Sequence, residues 1–495
     1  MIVITFFELI CLQITAQNLF DRNWILSGST WNSNLLQLTW NDKGLQNTRV
    51  VSKSKNGGLY NSVISNKDGN LLFFSNGCAI FDRDFHVIAN GDTLNTGYIW
   101  DSYCGKAGFN TDFESILLLQ VPSDTSRFIA FHTKAEDQYI FDSISNPLRS
   151  LSYSEIGLSK EHAFGEIVKK RVLVKEDTFY QGIYAVKHAN GQDWWVILPQ
   201  LLTLGFQRLL LTNAGVRYVG EQNIQHEIFG NSTEKGQGNF SLDGTKFAMG
   251  DPYSGIYIFD FDRCTGLFSN KRYIDIGFNK KIRTGLEFSP NSRFLYVALG
   301  DELDQYDLSA KDLLASKIEI DTFDGFPEQT LFFQSQLAPD GKIYIGSTNR
   351  NRYMSIIHQP DSLGLACDFR QHDLMLPDYY YVGLTNSPNF NLGATDPNCE
   401  LPVSIKENKN TDDIMALVYP NPARDRFTIE CKNLPNDRCQ MNLYDPNGRY
   451  LFSQLIYQNK VNVHLPLQLV EGMYMWQITD GDRILRIGKL LLMER

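Results

Sequence analysis

Ser241-Leu242-Asp243-Gly244-Thr245-Lys246-Phe247-Ala248-Met249 is the stretch from which the fold of this chain is read. Asp-Gly supplies the positive-φ position of a tight turn, and the β-forming run after it makes the second arm of a hairpin. The phrase returns as Asn66-Lys67-Asp68-Gly69-Asn70-Leu71-Leu72-Phe73-Phe74 and as Ser289-Pro290-Asn291-Ser292-Arg293-Phe294-Leu295-Tyr296-Val297. A further copy is Ala338-Pro339-Asp340-Gly341-Lys342-Ile343-Tyr344-Ile345-Gly346, and looser ones lie at Pro122–Phe128 and Ala189–Trp195. The turn residues stand at 69, 126, 191, 244, 292 and 341, so the last three intervals are 53, 48 and 49 residues. Several strands recurring about every 50 residues is the spacing of propeller blades.

Six markers plus an N-terminal unit around Trp24–Val51 make seven units. The expected fold is therefore all-β: a β-propeller, seven blades with six or eight as competitors, over residues 18–400. Closure is expected to pair an early strand with Gly383-Leu384-Thr385-Asn386-Ser387-Pro388-Asn389-Phe390. A string of β-sandwiches is the competing reading, and it gives no reason for the turn to recur at this interval. The strings Ser75–Phe81, Asn90–Asn95, Phe261–Gly266 and Leu384–Phe390 resemble a family of propeller-bearing surface proteins of gliding and oral-type bacteria. That resemblance brings no activity to particular residues.

The 495 residues are enough for two to four domains. Lys and Arg number 46 against 56 Asp and Glu, a net charge of −10, which argues against a nucleic-acid partner. Residues 1–17, MIVITFFELICLQITAQ, form an apolar run closed by small or polar residues and read as a signal peptide. The run is shorter than the roughly 20 residues a membrane-spanning helix needs, and no other segment approaches that length, so no transmembrane segment is expected.

Beyond Cys11 seven cysteines remain, without C-x-x-C or zinc-type spacing, so neither a metal nor another cofactor is expected. An oxidising compartment favours pairing. Cys431 and Cys439 flank the turn-rich Asn433–Asp437 and are expected to bridge adjacent strands, with Cys78 and Cys104 a second candidate disulfide. Seven is odd, so at least one thiol is left over.

Past Cys399 the composition turns polar and charged, and residues 401–415 read as a linker. Residues 416–495 then alternate short strands and turns and read as a small Ig-like β-sandwich. Its marks are Tyr419-Pro420-Asn421-Pro422-Ala423, with the prolines holding the chain extended before a strand, then Asp445-Pro446-Asn447-Gly448-Arg449, Gly472-Met473-Tyr474, and Lys489 before a final apolar strand. In this order they resemble the type IX secretion C-terminal sorting domain, through Pro420, Asn421, Pro422, Gly448, Gly472, Tyr474 and Lys489. The resemblance implies a partner in the type IX secretion machinery and a destination outside a Gram-negative cell, secreted or on its outer surface. It also implies that the domain is commonly removed on export, with the cargo released or fixed to lipopolysaccharide.

Catalytic signatures are sparse. His-Glu-x-x-His, the Gly-x-Ser-x-Gly elbow, the P-loop and G-x-G-x-x-G are all missing, and the eight histidines stand isolated. Asp301, Glu302, Asp304 and Asp307, with Asp321 and Asp324, read as turn caps; Asp260 and Asp262 alternate along a strand. Trp194-Trp195 and Tyr379-Tyr380-Tyr381 read as packing between blades rather than as a sugar platform. The expected function is a secreted or cell-surface binding protein with a glycan or protein ligand. The alternative is a secreted hydrolase of polysaccharide or peptide, which requires two carboxylates roughly 5–9.5 Å apart in the funnel; a structural part of an adhesion or gliding apparatus is a third.

Overall fold

The computed structural model describes residues 19–27, 34–51, 60–97, 100–105, 114–135, 149–177, 182–200, 204–225, 236–251, 255–277, 284–327, 331–399, 415–432, 434, 439–445, 450–456, 460–466, 469–480 and 483–493. The signal peptide, residues 401–414 of the expected linker, His226 and Gly448 lie outside these, while Met415, placed in the linker, opens a strand. Two compact units result, Met1–Leu401 and Pro402–Arg495. No helix among the described residues is long and apolar enough to cross a membrane.

The recurring turn builds the first unit. Asp243 Oδ1 accepts the Thr245 N–H (2.9 Å) and hydroxyl (2.8 Å), while Gly244 takes φ +71°. Gly69, Gly191 and Gly341 also have positive φ, and Ser292 takes φ +58° where those three copies and the Gly244 copy carry glycine. Each turn leads from an inner strand to the next, and antiparallel pairing continues outward.

Among the described residues the first unit holds seven sheets. Sheet 1 is β1 (Asn23–Ser27), β2 (Leu35–Asn41) and β3 (Gly44–Val51). Sheet 2 contains β4 (Asn61–Ser65), β5 (Leu71–Ser75) and β6 (Ile80–Asp82). Sheet 3 is β7 (Ile116–Gln120), β8 (Arg127–Ala135), β9 (Arg149–Gly157) and β10 (Glu166–Asp177). Sheet 4 is β11 (Tyr184–Lys187), β12 (Trp194–Pro199), β13 (Leu204–Thr212) and β14 (Gly215–Gln225). Sheet 5 is β15 (Gly238–Phe240), β16 (Lys246–Asp251), β17 (Gly255–Asp262) and β18 (Leu267–Ile274). Sheet 6 is β19 (Gly285–Phe288), β20 (Phe294–Ala298), β21 (Glu302–Asp307) and β22 (Ile318–Thr322). Sheet 7 is β23 (Phe332–Leu337), β24 (Ile343–Ser347), β25 (Asn351–Ile357) and β26 (Phe369–Tyr380).

The cores lie between successive sheets, which is what makes this a propeller. Sheets 4 and 5 share Trp195, Phe206, Phe247, Phe259 and Phe268, with Phe206 stacked on Phe268 at 3.9 Å between centroids. Sheets 5 and 6 meet through Ile258 and Val297, and sheets 6 and 7 through Tyr296 and Ile345. The last sheet packs on the first: Trp24 and Trp40 lie 4.4 Å apart, with Tyr344 edge-on to both. Burying one such side chain contributes about 1.5–3 kcal/mol, so the aromatic excess of the sequence is spent at the joints between blades.

The closing segment is a strap. Tyr381 N donates to Ser27 O (2.8 Å), and β27 (Thr385–Asn386) pairs parallel with β4. The Asn386 amide then donates to Ile116 O (3.1 Å) and Ile183 O (3.0 Å), reaching sheets 3 and 4. Asn389 donates to Leu242 O (2.8 Å), and a Cys264–Cys399 disulfide fixes the end of the strap to sheet 5.

The second unit, taken by itself, is a two-sheet sandwich. One sheet is β28 (Met415–Tyr419), β29 (Arg426–Lys432) and β32 (Lys460–His464). The other is β30 (Cys439–Tyr444), β31 (Tyr450–Leu455), β33 (Gly472–Asp480) and β34 (Arg483–Leu492). Period-two alternation turns Phe427, Ile429, Tyr474, Trp476 and Ile478 into one core.

Two expectations change here. Cys431 and Cys439 are not bridged: they belong to β29 and β30, strands of opposite sheets, and both thiols are buried in the core. Burial, with the neighbouring Cys439, pushes the Cys431 thiol up to about 11. The Pro420–Pro422 segment does not run extended; it turns the chain between β28 and β29, which pair antiparallel from Tyr419↔Thr428.

Candidate ligand cavity at the propeller axis

The innermost strands carry polar side chains to the axis. Gln334 Nε2 donates to Glu114 Oε1 (3.2 Å), and its Oε1 accepts the Leu384 N–H (2.7 Å). Sheets 3 and 7 are not neighbours in the ring, so this bond crosses the centre. Gln237 Oε1 accepts the N–H groups of Leu286 (3.2 Å) and Ser335 (2.9 Å), and its Nε2 donates to Ser335 O (2.8 Å). Glu287 Oε2 accepts from Leu337 N (2.8 Å) and Asn239 Nδ2 (3.3 Å), joining sheets 5, 6 and 7.

Burial pushes both Glu114 and Glu287 up to about 8. The Glu287 charge adds to the Glu114 shift, while bonds from Tyr184 and Gln334 act against it. At neutral pH both are protonated acids, each tied into bonds between sheets.

Beside this belt lies a cavity of about 290 Å³. Asn239, Glu287 and Gln336 line one side and the strap residues Asn386, Ser387 and Asn391 the other. Asp21, Trp24 and Phe240 complete it, and burial raises the Asp21 carboxyl. Ser387 Oγ and Asn391 Oδ1 are buried without a hydrogen-bond partner among the described residues. Native interiors rarely leave such atoms unpaired, and both belong to residues that line the cavity.

This lining was not singled out from the sequence, although a signal existed. Asn239, Glu287 and Gln336 each stand two residues before the head of the turn phrase (Ser241, Ser289, Ala338). Gln237 and Gln334 stand four before, and period-two geometry puts both positions on the same side of the inner strand.

The residues singled out earlier lie elsewhere. Asp307 pairs with Arg293 (2.6 Å), Asp304 with Lys317 (2.8 Å) and Asp324 with His372 (3.1 Å). Asp260 binds Asn270 (2.8 Å) and Asp262 caps the Cys264 N–H (2.8 Å). Among the described residues no three His, Cys, Asp or Glu gather closely enough to hold a metal ion. Trp195 is fully buried with its Nε1 on Arg263 O (2.8 Å), and Tyr380 is buried with its hydroxyl on Tyr353 O (3.2 Å). Cys78 and Cys104 form a disulfide with Cα atoms 5.5 Å apart; the Cys264–Cys399 bond was not anticipated.

His132 is not isolated. Its Nδ1 lies 2.8 Å from Asn95 Oδ1 and its Nε2 3.1 Å from Ser154 Oγ, the outline of a nucleophile relay. All three are buried, Ser154 Oγ also accepts the Arg171 N–H (3.1 Å), and burial pushes the imidazole down to about 3. The trio is a packed polar joint without access for a substrate.

In the C-terminal unit, Asn421 Nδ2 donates to Lys489 O (2.8 Å) and its Oδ1 accepts the Leu491 N–H (2.8 Å), so one amide extends the ladder of β34. Pro420 and Pro422 flank it, Gly472 opens β33 at φ +153°, and the Tyr474 hydroxyl closes on Val470 O (2.8 Å). Residues 417–492 match the family described as "Secretion system C-terminal sorting domain". They are a type IX sorting domain. Such a sorting domain marks a protein exported through the type IX machinery to the cell surface or beyond, and this protein is one of these.

No curated protein matches the chain in sequence. Among solved structures, the chain is similar to a candidate 6-phosphogluconolactonase from Bacteroides uniformis at 12% identity and TM-score 0.43, over 72% of this chain and 98% of that one. A second, from Bacteroides fragilis, gives 11% identity and TM-score 0.42 over 74% and 98%. PorZ, a surface component of the type-IX secretion system of Porphyromonas gingivalis, gives 9% identity and TM-score 0.30 over 93% and 69%.

Proposed function

We propose that the exported propeller is a binding protein whose axial cavity takes an uncharged, hydroxyl- or amide-rich ligand, a glycan segment or a peptide. The observation that carries this reading is the orphaned pair Ser387 Oγ and Asn391 Oδ1 on the cavity wall. Asn391 Oδ1 only accepts and calls for a donor, the Ser387 hydroxyl can donate or accept, and ligand hydroxyl and amide groups meet both needs. The carboxyls nearby support an uncharged partner, because burial holds Glu287 in its protonated form. The sorting domain supplies the route outward, and the propeller presents the cavity.

The hydrolase reading keeps one observation: Asp21 and Glu287 both line the cavity with raised carboxyls. Against it, Glu287 already accepts three hydrogen bonds. The test is a glycan and peptide binding array run beside a hydrolysis screen on the purified protein. Binding without turnover, weakened at least tenfold by Ser387→Phe, is expected. Turnover, or binding indifferent to that substitution, overturns the reading.

A further inference from the structure

On the other flank of the strap lies a second recess that the axial site does not use. Its volume is about 660 Å³; Pro122 and Ser123 of sheet 3, Lys187 and Trp194 of sheet 4, and Phe390 and Gly393 of the strap line it. It contains a cation. The Lys187 ammonium lies 4.0 Å from the centroid of the Trp194 ring and donates to Gln192 O (2.9 Å). The neighbouring charges are Asp193, which already accepts from Asn190 Nδ2 (2.8 Å), and Arg263, whose guanidinium serves Lys187 O, His188 O and Gly393 O.

The adjoining wall is apolar. Phe390 packs on Trp194 (5.3 Å between centroids) and Phe20 (5.4 Å), and Leu392 continues the surface. Desolvation pushes the Lys187 amine down to about 8, despite Asp193 nearby. A half-buried ammonium gains most from an anion that replaces its lost water.

We propose that this cleft binds an acidic saccharide, a uronic acid unit whose carboxylate pairs with Lys187 and whose ring carbons lie against Phe390 and Leu392. The carboxylate supplies the counter-charge, and the carbon face of a pyranose fits an apolar wall. A simple inorganic anion would leave that wall unused. The site stands independently of the axial cavity, since the strap separates the two.

The test is calorimetric titration of the full-length protein with digalacturonate, galactobiose and an acetylated di-glutamate peptide. Digalacturonate is expected to bind at least tenfold more tightly than either of the others. Lys187→Met lowers that affinity at least tenfold and Lys187→Arg retains most of it. Raising the pH from 7 to 9.5 weakens binding about tenfold or more, as the amine loses its proton. Gly393→Trp is the second variant: a Cβ there meets nothing within 4 Å, so the backbone accepts a side chain at this lining position of the cleft. It is expected to abolish binding at an unchanged melting temperature. Equal affinity for galactobiose or the peptide, no binding of digalacturonate at millimolar concentration, or full binding by Lys187→Met or Gly393→Trp overturns the proposal.

Discussion

The two axial acids make stability depend on pH in a way that can be worked through. Glu114 and Glu287 are raised to about 8 in the folded protein, against an ordinary 4.5. Between those values the folded state holds protons that the unfolded state has released. Unfolding free energy therefore falls as pH rises, by about 1.4 kcal/mol per pH unit for each group. His132 acts in the opposite sense, because its folded value of about 3 lies below the ordinary 6.5, but its contribution is complete above pH 6.5. From pH 6.5 to 8 the two acids dominate, and the propeller should lose roughly 3 kcal/mol, since the slope halves as pH reaches 8. Glu287→Gln removes one titration and the repulsion it imposes on Glu114, so the loss should fall to about 2 kcal/mol or less. The amide also sets an N–H against the Leu337 or Phe288 donor, which costs about 1–3 kcal/mol at every pH; the slope, not the absolute stability, is the readout. Urea unfolding in half-unit pH steps measures it. A flat profile over this window, or an unchanged slope in Glu287→Gln, refutes the placement of these acids as buried and protonated.

Asn386→Ala leaves Ile116 O and Ile183 O without their donor and should lower propeller stability by about 2–4 kcal/mol in chemical denaturation; a change below about 0.5 kcal/mol would deny the strap its role in closure. Cys264→Ser with Cys399→Ser opens a loop of 135 residues and should cost about 4–5 kcal/mol in the chain-entropy view, seen as a lower urea midpoint without reductant. Among the seven cysteines from Cys78 onward, thiol titration of denatured, unreduced protein should find three, Cys367, Cys431 and Cys439; one would mean that Cys431 and Cys439 are bridged after all. Asn421→Ala removes two bonds to β34 and should destabilise the sorting domain by about 1–3 kcal/mol, read by its own melting transition.

The propeller was legible because its turns are chemically stereotyped. Asp or Asn followed by a positive-φ residue leaves few alternatives, and the repeat spacing does the rest. Ser292 shows the limit of that rule: a serine stands where glycine is usual, and only its neighbours in the phrase reveal the turn. The sorting domain was legible from four motifs in order, although Pro420 and Pro422 turned out to bend the chain rather than extend it. The cysteines were harder, since pairing depends on which strands become neighbours. Cys264 and Cys399 are far apart in sequence and meet only because the strap crosses the ring, while Cys431 and Cys439 are close in sequence and separate into opposite sheets. The axial lining escaped attention because Asn239, Glu287 and Gln336 look like ordinary strand residues until the ring superimposes them.

Export by the sorting domain is tested most directly by fractionating cells that express the chain truncated after residue 415. The propeller should then accumulate folded in the periplasm, with both disulfides formed and none at the surface or in the medium. Truncated protein reaching the cell exterior at the level of the full chain would contradict the account.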